Sequence, residues 1–112
     1  MGAKSRTGPS RGELYSVKGD EGFRIAKILA VDDGGVHVRL YSNLFESRPS
    51  KVRPSTLSLG KLGGSGGFGM GHMPMSHSTF RNWQPVFVQN SRVVESELEG
   101  YRMWEEARGG YW

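Results

Sequence analysis

Hydrophobic and polar positions alternate most regularly between Val36 and Tyr41, where Val36, Val38 and Leu40 interleave with His37, Arg39 and Tyr41. A period of two sends successive side chains to opposite sides of a strand, so this segment predicts a strand with one buried and one wet face. Upstream, "GDEG" divides a short strand, Glu13 to Lys18, from a longer one, Phe23 to Val31. "DDGG" then supplies Gly34 and Gly35 for positive φ in a tight connection. Three antiparallel strands result. In the middle strand Ala26 and Ile28 keep phase while Val31 falls one residue out of step. A bulge near Leu29 and Ala30 repairs the phase and adds the coiling that a small barrel needs to close.

Beyond Tyr41 the rhythm is broken by turn chemistry. "ESRPSKVRPS" holds two prolines, Pro49 and Pro54, which forbid helix and central strand and leave an extended loop or edge. From Gly60 to Gly71, seven of twelve residues are glycine, which predicts a flexible insertion over 60–71. "FGMGHMPM" then reads as an extended segment laying Phe68 and several methionines on apolar surface. "SHSTFRNW" predicts a short helical turn with Ser76 or Ser78 as N-cap, and "PVFVQNS" one more strand, Pro85 to Gln89. The last element is a helix over about 96–107. Ser96 and Glu99 have capping-box spacing, Gly109 and Gly110 stop the helix, and Leu98, Tyr101 and Trp104 form one apolar stripe. Gly100 inside it costs about 1 kcal/mol relative to Ala unless it permits close packing. The fold class that emerges is mainly β: a small, partly open, five-stranded barrel with a glycine-rich insertion and a C-terminal α-helix.

Composition narrows this further. A chain of 112 residues with 36% apolar content supports one domain with one modest core. The reading is a disordered basic tail over 1–12 and a single domain over 13–112. Neither a membrane span nor a secretory signal is expected, and zero cysteines suit a reducing, cytoplasmic location. The formal charge of +4 divides unevenly. Lys4, Arg6 and Arg11 give the tail +3, residues 13–90 carry nine bases and six acids, and residues 91–112 carry three and five. The folded part is close to neutral.

Candidate chemistry is sparse. "GSGGFG" fits the spacing of a dinucleotide-binding loop, but that loop needs a strand before it, a helix opening at its third glycine and an acid about twenty residues on. Met70 to Pro74 cannot open that helix, and "PVFVQNS" holds no acid. His72 and His77 stand in a proline-containing loop with His37 far off in sequence, which predicts neither a metal site nor a cofactor. Ser76 and His77 have no acid to orient them, so no catalytic residue is expected.

The pattern "RIAKILAVDDGGVHVRLY", followed by "SNLF" and later "VRPSTL", resembles the central hairpin of Tudor-type small β-barrels over about Glu13 to Leu59. That resemblance implies a rim of aromatics, on this chain Tyr15, Phe23, Tyr41 and Phe45, able to hold a methylated cation. The second half resembles short uncharacterised bacterial single-domain proteins, which carries no activity with it. Together these readings favour a non-enzymatic module binding a protein or peptide. The alternative is a nucleic-acid binder using a basic face of Arg24, Lys27, Arg39, Arg48, Lys51 and Arg53. No membrane partner is expected.

Overall fold

The computed structural model describes residues 8–60 and 69–111. Residues 1–7 of the predicted tail, and 61–68 of the predicted glycine-rich loop, lie outside it. The described chain forms one antiparallel sheet of five strands: β1 (Glu13–Lys18), β2 (Phe23–Val31), β3 (Gly35–Leu40), β4 (Met70–Ser76) and β5 (Val86–Asn90). Their order is β4-β3-β2-β1-β5, and the sheet is not closed. Two helices complete the fold, α1 (His77–Asn82) and α2 (Glu99–Glu106), the latter entered through a single tight helical turn at Glu95–Leu98. Among the described residues no helix is long and apolar enough to cross a membrane.

The three strands expected at the N-terminal end form with the expected hairpin pairing. The register of β2 against β3 shifts between Ile28 and Ala30, so Leu29 is the extra residue that the broken phase requires. The prolines of "ESRPSKVRPS" were expected to forbid helix, but Pro54 opens a single helical turn, Pro54–Thr56, because the first helical position needs no amide donor. The fourth strand, Met70–Ser76, pairs with β3 and takes in the last residues assigned to the glycine-rich loop. Pro74 is tolerated there because β4 is an edge strand.

Sequential strands lie side by side until β4 and β5, which occupy opposite edges. Helix α1 carries the chain between them across one face. Ser76 caps it, accepting from the Thr79 amide at 3.1 Å, and the Trp83 carbonyl at its far end accepts from Lys18 at 2.8 Å. Phe80 drops from α1 into a core of Val17, Ala26, Ile28, Val36, Val38, Leu40 and Met75.

The opposite face was expected to be wet, and here the structure corrects the sequence. His37 is fully buried and Tyr41 nearly so. Leu14, Ile25, Tyr41 and Val52 form a second cluster, joined by Leu57 and Leu59 from the loop after β3, while α2 covers the region of His37 and β4. Alternation was a true sign of strand but not of solvent, because polar side chains can be buried when hydrogen-bond partners come from elsewhere in the chain.

The described end of the predicted tail is tied to this sheet. Gly12, at φ +91°, donates to the Ile28 carbonyl at 2.7 Å and accepts from the Ser91 amide at 2.7 Å. Ser10 donates its amide to Glu13 at 2.7 Å.

Candidate functional site

His37 faces outward from β3 by the strand period, and His72 stands diagonally across from it on β4, where His37 pairs with Pro74. The Nδ1 of His37 lies 2.8 Å from Nε2 of His72, with the rings parallel to within 8°. On the other side, Nε2 of His37 lies 2.8 Å from the Tyr111 hydroxyl, which in turn donates to Asp32 Oδ2 at 2.5 Å. Asp32 begins the β2–β3 connection, and its Oδ1 also accepts the amides of Gly34 at 2.9 Å and Gly35 at 3.1 Å.

The direction of every proton in this chain follows from its end. An ionised carboxylate only accepts, so Tyr111 donates to Asp32 and its oxygen is free to accept from His37 Nε2–H. His37 is neutral, with a pKa lowered by burial and by the neighbouring His72 to about 4. A neutral imidazole carries one proton, so His37 Nδ1 accepts, and His72 Nε2–H donates to it. Burial pushes the Asp32 carboxyl up, but the Tyr111 hydroxyl and the two glycine amides outweigh this and hold it below the usual carboxylate range. Burial and the Asp32 hydrogen bond push the Tyr111 phenol up, which keeps it a donor.

Aromatic rings enclose the imidazole. Tyr101 and Trp104 from α2 meet the His37 ring edge-on, at centroid distances of 4.6 Å and 4.4 Å. The end of α2 is what returns Tyr111 to the sheet. The Gly109 amide bonds the Trp104 carbonyl at 2.9 Å and the Arg108 amide the Glu105 carbonyl at 3.1 Å, with Arg108 at φ +53°. That is the Schellman arrangement, with arginine rather than glycine in the left-handed position. The Trp104 indole then donates to the Gly110 carbonyl at 3.0 Å.

Four glycines make this packing possible. A Cβ on Gly100 would sit 2.7 Å from His72 Cβ, and one on Gly109 would sit 2.4 Å from the Trp104 ring. Cβ atoms on Gly34 and Gly35 would stand 2.6 Å and 2.7 Å from the Tyr111 ring. The sequence assigned Gly34 and Gly35 to positive φ; neither adopts it. The Tyr111 ring lies against both, and at Gly35 the Met75 carbonyl on β4 is closer still, 2.2 Å from where a Cβ would stand.

Chemically this chain is an anchor. Both ring nitrogens of His37 are occupied, and its burial leaves no position beside it for a substrate. Among the described residues no group of three His, Cys, Asp or Glu side chains is placed to hold a metal. An open cleft of about 590 Å³ does reach Asp32, lined also by Asp33, His77 and Arg81, but its His77 ring is engaged with the Asp32 carbonyl at 2.9 Å.

The four aromatics assigned to a rim do not converge. Tyr15 lies on the α1 side of the sheet, edge-on to Phe80 and Phe87. Tyr41 and Phe45 belong to the opposite cluster, and Phe45 bridges to Phe23. The Phe23 ring already carries the Arg48 guanidinium at 4.6 Å, and Tyr41 that of Arg39 at 5.9 Å.

The six cations of the basic face are also divided. Lys27 is buried and pairs with Glu97 at 2.9 Å, and Arg39 stands 3.7 Å from the same carboxylate. The Arg24 Nε donates to the Tyr41 carbonyl at 2.9 Å, and Arg48 to the Ser16 carbonyl and hydroxyl at 2.8 Å and 2.9 Å. Lys51 and Arg53 remain exposed. They flank Val52, whose amide donates to the Gln89 side chain on β5 at 2.9 Å.

That places two exposed cations beside the outer strand of the sheet. β5 pairs with β1 on one side only, and its Val86 and Phe87 are 47% and 48% exposed. Sequence reasoning recognised the strand but not its position at the edge, which depends on the crossing made by α1.

Comparison of the chain with protein-family profiles, curated proteins and solved structures finds no match.

Two predictions follow from the buried chain. Gly100→Ala, which by helix propensity alone would stabilise α2, is expected to destabilise the protein by about 1 to 3 kcal/mol, because the new methyl overpacks against His72; denaturant midpoints measure it. Stability is also expected to fall as pH drops from 6.5 towards about 4. In that window the unfolded chain protonates His37 while the folded chain does not, so acid favours unfolding. Asp32, with its depressed pKa, adds to the loss further down. Thermal melts across pH, compared between the parent and His37→Gln, check this; a parent profile that is flat over the window contradicts the assignment.

Proposed function

We propose that this protein is a non-enzymatic interaction module that binds an extended peptide segment by adding it as a sixth strand along β5. The observation that carries the reading is the exposure of Val86 and Phe87 on an edge strand. An edge strand presents unpaired backbone donors and acceptors along its outer side, and natural proteins usually protect such edges with charge, proline or cover. The segment "VFVQN" contains neither proline nor charge and is rich in residues that favour strands. By contrast the other edge, β4, contains Pro74 and is contacted by both helices. Strand addition takes affinity from the backbone and specificity from side chains at alternate positions, which suits a small domain whose two faces are already covered.

The reading as an interaction module is favoured over a nucleic-acid binder because Lys27 and Arg39 are committed to Glu97. It is favoured over an enzyme because both ring nitrogens of the buried His37 are engaged within the protein.

Selection of linear peptides from a random display library, followed by amide-shift mapping on the labelled protein, tests the proposal. Selected peptides are expected to perturb Val86 to Asn90 most strongly and to bind about tenfold or more weakly to Val86→Lys, which places a solvated charge on the edge. Perturbation centred elsewhere, or affinity unchanged in Val86→Lys, contradicts it.

A further inference from the structure

We infer that the segment received by β5 carries an acidic side chain at the end lying beside Gln89, where Lys51 and Arg53 hold it. The inference rests on the strand-addition reading and adds the chemistry of the partner. The Gln89 side chain accepts the Val52 amide at 2.9 Å, so the two residues next to Val52 are fixed close to the C-terminal end of β5. Val52 itself is buried in the second core cluster with Val88 packed against it, which anchors the loop to the strand. Lys51 and Arg53 are exposed. Among the described residues neither side chain has an ion-pair or hydrogen-bond partner, whereas Lys27, Arg39, Arg48 and Arg102 are engaged with partners inside the protein. Long cationic side chains on a stiff, proline-flanked loop reach past an edge strand without rearranging it.

Charge also selects among occupants. A second copy of this chain laid antiparallel on β5 would bring its own 81–92 segment alongside, and that segment holds Arg81 and Arg92 and no acid. Two such edges repel where an acidic strand is attracted. The partner is therefore a distinct polypeptide: extended, apolar at alternate positions where it meets Phe87, and acidic at one end. If it runs antiparallel to β5, the acid lies near its N-terminal end.

The test uses the whole protein and four synthetic nine-residue peptides with one alternating Val-Thr core, bearing two Glu or two Lys at either the N-terminal or the C-terminal end. A fifth peptide repeats the tightest binder with alternate amides N-methylated. Affinities are measured at low and high salt, with β5 amide shifts recorded throughout. One Glu peptide is expected to bind about three- to tenfold tighter than its Lys counterpart, the range that one or two exposed ion pairs supply. The advantage fades at high salt. Lys51→Glu/Arg53→Glu inverts the preference, Lys51→Gln/Arg53→Gln abolishes it, and N-methylation removes binding. Equal binding of Glu and Lys peptides with β5 shifts intact overturns the charge inference and leaves strand addition standing. Absence of β5 shifts with every peptide overturns both. Sedimentation showing a dimer that Val86→Lys dissociates makes the occupant a second copy, and likewise overturns the inference.

Discussion

A fully buried imidazole must have both nitrogens satisfied, and the structure around His37 is arranged to meet that demand. Leaving one buried donor or acceptor without a partner costs about 1 to 3 kcal/mol, a large share of the stability of a domain this size. One partner comes from the neighbouring strand, His72, and the other from the far end of the chain, Tyr111, 74 positions away in sequence. Tyr111 reaches it only because α2 ends in a tight reversal and because Gly34, Gly35 and Gly109 leave room for rings. The hydrogen bonds thus fix the route of residues 107–111 as firmly as the apolar stripe of the helix fixes α2.

The same constraint decides what the surface can offer. Helix α1 lies over one face of the sheet, and α2 together with the loop after β3 lies over the other. Lys27, Arg39 and Glu97 form a compact charged group at the turn that precedes α2, where Lys27 also donates to the Arg92 carbonyl, so most of the positive charge seen along the strands is spent internally. The outer edge at β5 keeps Val86 and Phe87 half exposed, with Lys51 and Arg53 beside it.

Much of this fold is legible in the sequence, and the reasons are local. Alternation located β1 to β3, the phase slip near Leu29 located the bulge, and of the two candidate caps for α1, Ser76 and Ser78, the structure uses Ser76. The spacing of Leu98, Tyr101 and Trp104 identified the inner side of α2, although its entry is not the Ser96 box: the turn begins at Glu95 and the Val94 amide donates to Glu97 at 3.0 Å. What could not be read were contacts between distant positions. His37 was a polar position on a strand until His72, Tyr111 and Asp32 were brought to it. The sole signal in the sequence was indirect: Gly100 within a helix, an unfavourable choice unless something packs tightly there, and two large aromatics following Gly109 and Gly110 at the end of the chain. The rim of Tyr15, Phe23, Tyr41 and Phe45 failed to assemble for the same reason in reverse, since strand period alone sends Tyr15 and Tyr41 to different sides of the sheet.

The central claim is that His37 is a neutral, Nε2-protonated imidazole locked between His72 and Tyr111 in a chain of donors that ends on Asp32. Long-range nitrogen–proton correlation spectra of the imidazoles, recorded from pH 8 down to the onset of acid unfolding, test it most directly. The account predicts distinct Nε2-protonated and Nδ1-acceptor signals for His37 that stay unchanged until the pH nears about 4, and a downfield, slowly exchanging Tyr111 hydroxyl proton that disappears in Asp32→Ala. A His37 ring that titrates near the ordinary 6.5 with averaged nitrogens would contradict it.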